Sequence, residues 1–534
     1  METTNAAWWQ GATIYQIYPR SFADSNGDGI GDLPGITAHL PYVADLGVDA
    51  IWLSPFFTSP MADYGYDVAD YHGVDPIFGT LADFDALLTK AHALGLKVVI
   101  DQVYAHTSDA HAWFAESRSS RENPKADWYV WANAKPDGTP PSNWQSVFGG
   151  PAWTWDARRG QYYMHNFLKE QPQLNVHHAD VQNALLEVAK FWLDRGVDGF
   201  RLDALNFAFH NQALTDNPPE ENTRQIRTRP FDFQKKINNM SQPEMVPFVE
   251  RIRALTDQYE GRFTVAEVGG DDAEHEMKEL TAGQSRLNTA YSFAFLHQNH
   301  PTPQLIADVL SSWPDTRGTG WPSWAFSNHD APRVLSRWGG AQNAGGRAKL
   351  YNMLLLSLRG NSFIYQGEEL GLLQANVPYE RLLDPEAIAN WPLTQGRDGA
   401  RTPIPWTTEI PYAGFSTTEP WLPMDAQHVR QAVGAQERDP ESVLSFTREM
   451  IRLRQSSPAL RLGSIHFEAT KAGILAFTRA AENETLLCVF NLGDTAAHHD
   501  AGPNWETIVS LNSAQAGDAR LGVASGYIAR QKLD

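Results

Sequence analysis

The chain has 534 residues and a net charge of −20, with 42% hydrophobic and 11% aromatic composition. That length is too great for one small domain and supports a large buried core, so a globular chain of several parts is expected. The negative charge would repel nucleic acid and anionic membrane surfaces, which leaves neutral or cationic small molecules as the open partner class.

In chain order, the N-terminal stretch METTNAAWWQGATIYQIYP lacks a basic region and a continuous apolar region, and no window of about 18 apolar residues occurs further on. Cys488 is the single cysteine, which rules out an internal disulfide and a thiolate zinc cluster. A soluble, cytoplasmic protein with no membrane partner is the expectation. Short apolar runs of strand length then recur: ATIYQIYP, VDAIWLSP, LKVVIDQVY, DGFRLDAL, FTVAEVG, SWAFSNHD and NSFIYQG, with an eighth near LNTAYSFAF. Between them, segments such as LADFDALLTKAHALG and VQNALLEVAKFWLDRG carry apolar residues at helical spacing and stop at Gly. Eight strand and helix pairs predict a parallel sheet closed into a (β/α)8 TIM barrel rather than an open doubly wound sheet.

Two stretches interrupt this alternation. Residues 106–175, rich in Trp, Asn, Pro and Gly, read as a subdomain inserted after the third strand. Beyond Leu462, the runs GILAFTRA, ETLLCVFNL and GYIARQ predict a separate antiparallel β domain. The expected division is therefore a barrel over 1–105 and 176–461, an insert over 106–175 and a C-terminal β domain over 462–534. The polar segment Gln212 to Glu244, directly after the fourth strand-like run, is expected to wall the mouth of a site at the C-terminal end of the barrel.

Three strand ends each present an acid: Asp203 in GFRLDALNF, Glu267 in TVAEVGG and Asp330 in SNHD. With 63 Asp and Glu in the chain most acids are surface or capping residues, but these three share the end of the barrel where reactive groups gather. Arg201 stands two positions before Asp203, hence on the same side of the strand, and can hold it ionised; a structural ion pair is the competing reading. In the segment Asp24 to Asp32, DSNGDGIGD, carboxylate and amide oxygens alternate with Gly, as a loop wrapped around a hard cation requires. Calcium is favoured, magnesium is the alternative and a plain Asp/Gly turn is the competing reading. An EF-hand is excluded, because its twelfth position would be Gly35. The 18 Trp and 17 Tyr suit sugar rings or, equally, a large core.

The motifs GVDAIWLSP, DYGYDVADYHGVDPIFGT, DQVYAHTS, QPQLN, GFRLDALNF, AEVGG, SNHD and YQGEELG occur in one order between Ile14 and Leu492. In this combination the chain resembles the α-amylase superfamily, glycoside hydrolase family 13, and within it the α-glucosidase and oligo-1,6-glucosidase branch. The resemblance implies a barrel with an insert after strand three and a C-terminal β-sandwich. It implies Asp203 as nucleophile, Glu267 as acid/base and Asp330 as the carboxylate that holds the distorted sugar. It further implies substrate contacts from Asp63, Tyr66, His106, Phe167, Arg201, His329 and Arg401, with Arg397 a near competitor of Arg401. For the loop it implies a structural cation on Asp24, Asn26, Asp28, the Ile30 carbonyl and Asp32, and no organic cofactor.

The chain departs from the family pattern at several positions. Ala105 replaces the Asn that amylases use for a second calcium, Gln173 stands where many oligo-1,6-glucosidases carry Asp, and Ala266 replaces a Gly. Ala204 replaces a Val that accompanies preference for α-1,6 bonds. The implied activity is a retaining exo-α-glucosidase on maltose-type α-1,4 substrates and sucrose, with transglucosylation to sugar or alcohol acceptors. A sucrose isomerase or trehalose-synthase-like glucosyl transferase is the alternative, and a catalytically silent transporter-associated subunit is the alternative of another class.

Overall fold

The computed structural model describes residues 6–221, 227, 229–313, 320–339, 343–394, 396–471 and 473–532. Residues 222–226 and 228 of the Gln212 to Glu244 segment therefore lie outside the described residues.

Eight parallel strands close into a barrel in chain order: β1 Thr13–Ile17, β2 Ala50–Leu53, β3 Lys97–Val103, β4 Gly199–Asp203, β5 Phe263–Val268, β6 Thr289–Ser292, β7 Trp321–Ala325 and β8 Asn361–Tyr365, with β8 pairing back onto β1. The run near LNTAYSFAF is thus β6. All eight are buried almost throughout, as helices on the outside and side chains on the inside demand of a parallel sheet. Helix ends follow their sequence signals. Asp32 caps Leu33–Leu46, which stops at the left-handed Gly47, and Thr80 with Asp83 forms a capping box on Leu81–Ala93.

Alternation along the strands decides what the barrel encloses. Ile14, Ala50, Trp52, Val99, Phe263, Val265, Tyr291 and Phe363 pack together inside it. One step towards the C-terminal ends the same faces turn polar. Asp101 of β3 lies in register with Arg201 of β4, and Glu267 of β5 with Tyr291 of β6.

The chain leaves the barrel after β3 and returns beside its point of exit, because the Leu174 N–H donates to the Ala105 carbonyl at 2.9 Å and His106 bridges to Gln173. Between these points lies a three-stranded antiparallel sheet of Trp131–Ala132, Gln161–Met164 and Trp153–Asp156, with Trp144 and Trp153 stacked at 5.7 Å. After the helix Pro458–Leu462 comes an antiparallel sheet of five strands, with a two-stranded sheet beside it. On Ile474–Ala481, Leu475 and Phe477 face the large core, whereas Ile474 and Ala476 face a second cluster that includes Leu521 of the small sheet. The antiparallel β domain expected from the C-terminal runs is present. No helix among the described residues is long and apolar enough to cross a membrane.

Candidate active site

A cavity of about 550 Å3 opens at the C-terminal end of the barrel, within the ~300–1,000 Å3 usual for small-molecule sites. Asp203, Glu267 and Asp330 line it together with Asp63, Tyr66, His106 and Phe167. Arg201, His329 and Arg401 stand behind that wall, each fully buried.

Period two puts Arg201 and Asp203 on the inner face of β4, and Arg201 becomes the hub of the site. Its Nη1 lies 2.6 Å from Asp203 Oδ1 and 2.7 Å from Asp101 Oδ1, and its Nη2 lies 2.6 Å from Glu267 Oε2. The Tyr291 hydroxyl stands 3.1 Å from Nη2 and donates to Glu267 Oε1 at 3.2 Å. Three buried carboxylates thus share one buried guanidinium, and a charge buried in this way persists only with such partners. Burial pushes Asp203 up to about 7 despite Arg201, and burial together with Asp203 and Asp330 pushes Glu267 up to about 7. The cluster therefore retains a proton near neutrality, and its titration belongs to the group rather than to one member.

Asp330, in the loop after β7, is held differently. Burial alone would raise it, but His329, Arg401 and Arg397 outweigh that and keep it well below the usual carboxylate range. Arg401 Nη2 lies 2.8 Å and Arg397 Nη1 3.2 Å from Asp330 Oδ1. His329 is itself kept neutral, lowered by burial to about 4, so the two arginines are the standing charges. Gln16 reaches His329 Nδ1 at 2.8 Å, which leaves the ring proton on Nε2, 3.0 Å from Asp330 Oδ2. Tyr66 stacks on the His329 ring at 5.2 Å, with the planes 6° apart, and its hydroxyl donates to Asp101.

Asp63 and Arg397 line the cavity side by side, and Asp63 Oδ1 accepts from Arg397 Nη2 at 2.8 Å. Arg397 also pairs with Asp384 and lies over the Phe148 ring at 4.8 Å. Of the two competing arginines, Arg397 is the one that reaches the cavity. Arg401 sits behind Asp330, against Tyr18, and donates to the His329 carbonyl. His106 donates through Nε2 to the Tyr66 carbonyl and is held neutral, lowered by burial to about 4. The far side is lined by Phe148, Phe167, Phe207 and Phe231 and by Arg229, which meets Glu386 at 3.4 Å.

Ala204 lines the cavity directly after Asp203, with φ 38° and ψ 44°, a left-handed conformation uncommon for a residue with a Cβ. That turn aims its N–H at Glu267 Oε2, 3.1 Å away. Gln173 is fully buried away from the cavity, and its amide donates to the Phe207 carbonyl at 2.7 Å. It ties the insert to the turn after Asp203.

Asp101, Tyr291, the Arg229–Glu386 pair and Gln171, which lines the cavity and donates to Asp63 Oδ2 at 3.2 Å, were missed by the sequence reading. Asp101 carried a signal, a lone acid in the apolar run LKVVIDQVY. Arg229 and Glu386 carried none, since Arg229 precedes one short helix, Pro230–Phe233, and Glu386 opens another, Pro385–Asn390, neither of them within a motif.

In the Asp24 to Asp32 loop the side-chain oxygens accept from the loop itself. Asp24 accepts from the Gly27 and Gly29 amides, Asn26 from Asp28, Asp28 from Ile30, and Asp32 from Ser25 and Gly35. Ser416 also donates to Asp24 at 2.6 Å. Among the described residues no three His, Cys, Asp or Glu side chains converge closely enough to hold a metal ion. Asn26 and the Ile30 carbonyl are the further oxygen donors that the loop offers.

Residues 16–463 match the family model for the α-amylase catalytic domain. A probable alpha-glucosidase of Rhizobium meliloti (strain 1021) is 53% identical over 497 residues, covering 92% of this chain and 90% of that protein. An oligo-1,6-glucosidase of Heyndrickxia coagulans is 36% identical over 94% of this chain and 95% of its own. The crystal structure of an alpha-glucosyl transfer enzyme, XgtA, superposes with a TM-score of 0.96 at 51% identity, covering 99% of this chain and all of that one. With the barrel, the acids at its C-terminal end and these likenesses in place, the chain belongs to the α-amylase family and is a glycoside hydrolase.

Proposed function

We propose that the protein is a retaining, exo-acting α-glucosidase that removes terminal α-linked glucose from short maltose-type substrates and from sucrose. The observation that carries this reading is Arg201, which holds Asp203 and Glu267 on two nitrogens of one guanidinium beside the same cavity. Ionised Asp203 attacks the anomeric carbon while protonated Glu267 gives its proton to the departing oxygen, so that the glycosidic bond breaks as the glucosyl-enzyme ester forms. Glu267, now ionised, takes a proton from water, whose oxygen attacks the same carbon and releases Asp203 and α-glucose. Asp330, kept ionised by its arginines, faces the positive charge that builds up on the ring. The Asp63–Arg397 pair on the cavity wall, a carboxylate and a guanidinium able to bond sugar hydroxyls, supports the reading of a pocket for a single terminal sugar.

A second reading, glucosyl transfer to a sugar or alcohol hydroxyl in place of water, is supported by the 51% identity to an alpha-glucosyl transfer enzyme. Isomerisation of sucrose, or trehalose synthesis, is the variant in which the released sugar is itself the acceptor. A silent transporter subunit is disfavoured by the intact trio of acids. The single cysteine supports a cytoplasmic location.

Proton NMR with maltose, isomaltose and sucrose supplied separately tests these readings. Initial α-glucose supports the retaining hydrolase, new glycosidic signals support transfer, and rearranged disaccharide with little free glucose supports the isomerase. No change with any of the three removes the proposal. Calcium in the Asp24 to Asp32 loop remains part of the proposal on its donor set of three carboxylates, one amide and one carbonyl, all hard oxygens. Metal analysis of the purified protein, with thermal unfolding before and after chelation, tests it; no bound metal and no shift in Tm would remove it.

A further inference from the structure

The turn after the proposed nucleophile is not free to settle on its own. Ala204 is left-handed, and the short helix Leu205–Phe207 follows immediately. Asn206 lies on that turn, three residues after Asp203, and is 1% exposed. Its Nδ2 lies 2.7 Å from the carbonyl of Gly269 and 2.9 Å from Glu276 Oε2, with Ser241 Oγ at 3.2 Å, while its Oδ1 faces the Gly269 N–H at 3.4 Å. Gly269 lies two residues after Glu267, just past the end of β5.

The orientation of the amide follows from its partners. A carbonyl and a carboxylate can only accept, so the nitrogen must face them, and the two shortest contacts use both of its N–H bonds. One buried side chain therefore grips both backbone groups of Gly269 and a helix acid at once. The two strand ends that carry Asp203 and Glu267 are joined above the cavity floor by this amide, as they are joined below it by Arg201. Between the two ties runs the Ala204 N–H, directed at Glu267 Oε2.

We infer that Asn206 is a positioning residue, whose amide fixes the turn after Asp203 against the backbone after Glu267 and so keeps the Ala204 N–H and the acid/base carboxyl in working alignment. The inference rests on the proposed roles of Asp203 and Glu267. It does not place Asn206 on the substrate, since Asn206 lies outside the cavity lining. Its loss acts through Glu267, on the protonation of the leaving oxygen, and a misplacement of about 1 Å at a reacting group can cost ~100-fold.

The leaving group separates this role from a merely structural one. An oxygen that leaves readily, such as nitrophenolate, needs little help from the acid, whereas the sugar oxygen of maltose needs it fully. Asn206→Ala is expected to lower kcat on maltose by ~100-fold with KM changed by less than about 3-fold. On p-nitrophenyl α-glucoside the loss of the first, glucosylating step is expected to be ~10-fold smaller. Asn206→Asp, which keeps the shape but sets a carboxylate oxygen where the amide met the Gly269 carbonyl and the Glu276 carboxylate, is expected to lose at least as much on maltose as Asn206→Ala. Equal losses on the two substrates, or a kcat within about 2-fold of the parent in a folded Asn206→Ala variant, would overturn the inference. Should Asn206→Ala fail to fold, Asn206→Asp alone decides by the same leaving-group comparison. Glu267→Gln assayed alongside keeps the two questions apart: near-parent activity on maltose there removes the acid/base assignment itself.

Discussion

Nη2 of Arg201 and Oε2 of Glu267 stand 2.6 Å apart, across adjacent strands, with both side chains buried. The same guanidinium reaches Asp203 and Asp101, so it offsets three carboxylates at once. A lysine carries the charge but no planar fork, and cannot meet three acids from one point. Arg201→Lys is expected to lower kcat by at least ~100-fold and to lower Tm, because breaking a buried pair costs about 3–5 kcal/mol. Steady-state kinetics on maltose with a thermal scan checks both; normal turnover would remove Arg201 as the hub.

Protonation of the cluster should appear in stability as well as in rate. Burial raises Glu267 from its ordinary value of 4.5 to about 7 in the fold, so the folded state binds this proton more tightly than the unfolded chain. Stability from this group is fully present below about pH 4.5 and is lost as pH rises through 7. Glu267→Gln cannot ionise and escapes that loss. It is expected to be nearly inactive, and its Tm relative to the parent is expected to rise by about 2 °C from pH 4 to pH 8. A Tm difference independent of pH would mean that Glu267 has no share in the proton the cluster retains.

The two arginines near Asp330 should separate kinetically. Arg397 lines the cavity and bonds Asp63, so Arg397→Lys is expected to raise KM for maltose by ~10-fold or more, the worth of a charge-assisted hydrogen bond. Arg401 lies behind Asp330 and never meets the cavity, so Arg401→Lys is expected to lower kcat and Tm while moving KM by less than about 3-fold. Kinetics with the two variants side by side decides, and a reversed pattern would return Arg401 to the substrate.

The barrel and its acids were legible because both rest on short-range rules. A buried parallel strand must read as a continuous apolar run, and a charge within one, such as Arg201 in DGFRLDAL, stands out. β6 was weakest in sequence since TAYS is short and only Tyr291 gives it weight, yet that tyrosine supplies the hydroxyl between Arg201 and Glu267. Depth was not legible. His329 sits in a motif as prominent as those of Asp63 and His106, but whether such a residue meets the cavity or supports one that does depends on packing between distant loops. The Asp330–Arg397–Asp63 wall joins residues 334 apart in the chain, which no local pattern reports.

Ala204 offers a test of the leaving-group side. It lines the cavity next to Asp203 in a left-handed conformation, and its N–H serves Glu267. Valine at this position, which in the resembling branch accompanies α-1,6 preference, adds two methyl groups to the cavity wall and puts a β-branched side chain where the backbone disfavours it. An added methyl in a close-fitting pocket discriminates between substrates by ~10-fold or more. Ala204→Val is therefore expected to lower kcat/KM on maltose at least ~10-fold more than on isomaltose, and to lower Tm through strain of about 1–3 kcal/mol. The strain arises in the fold and affects all substrates alike, whereas the methyl groups act only on what occupies the cavity beyond the glucosyl ring. Equal losses on maltose and isomaltose would therefore assign the whole effect to the backbone, and linkage choice to the Phe207 and Phe231 wall instead.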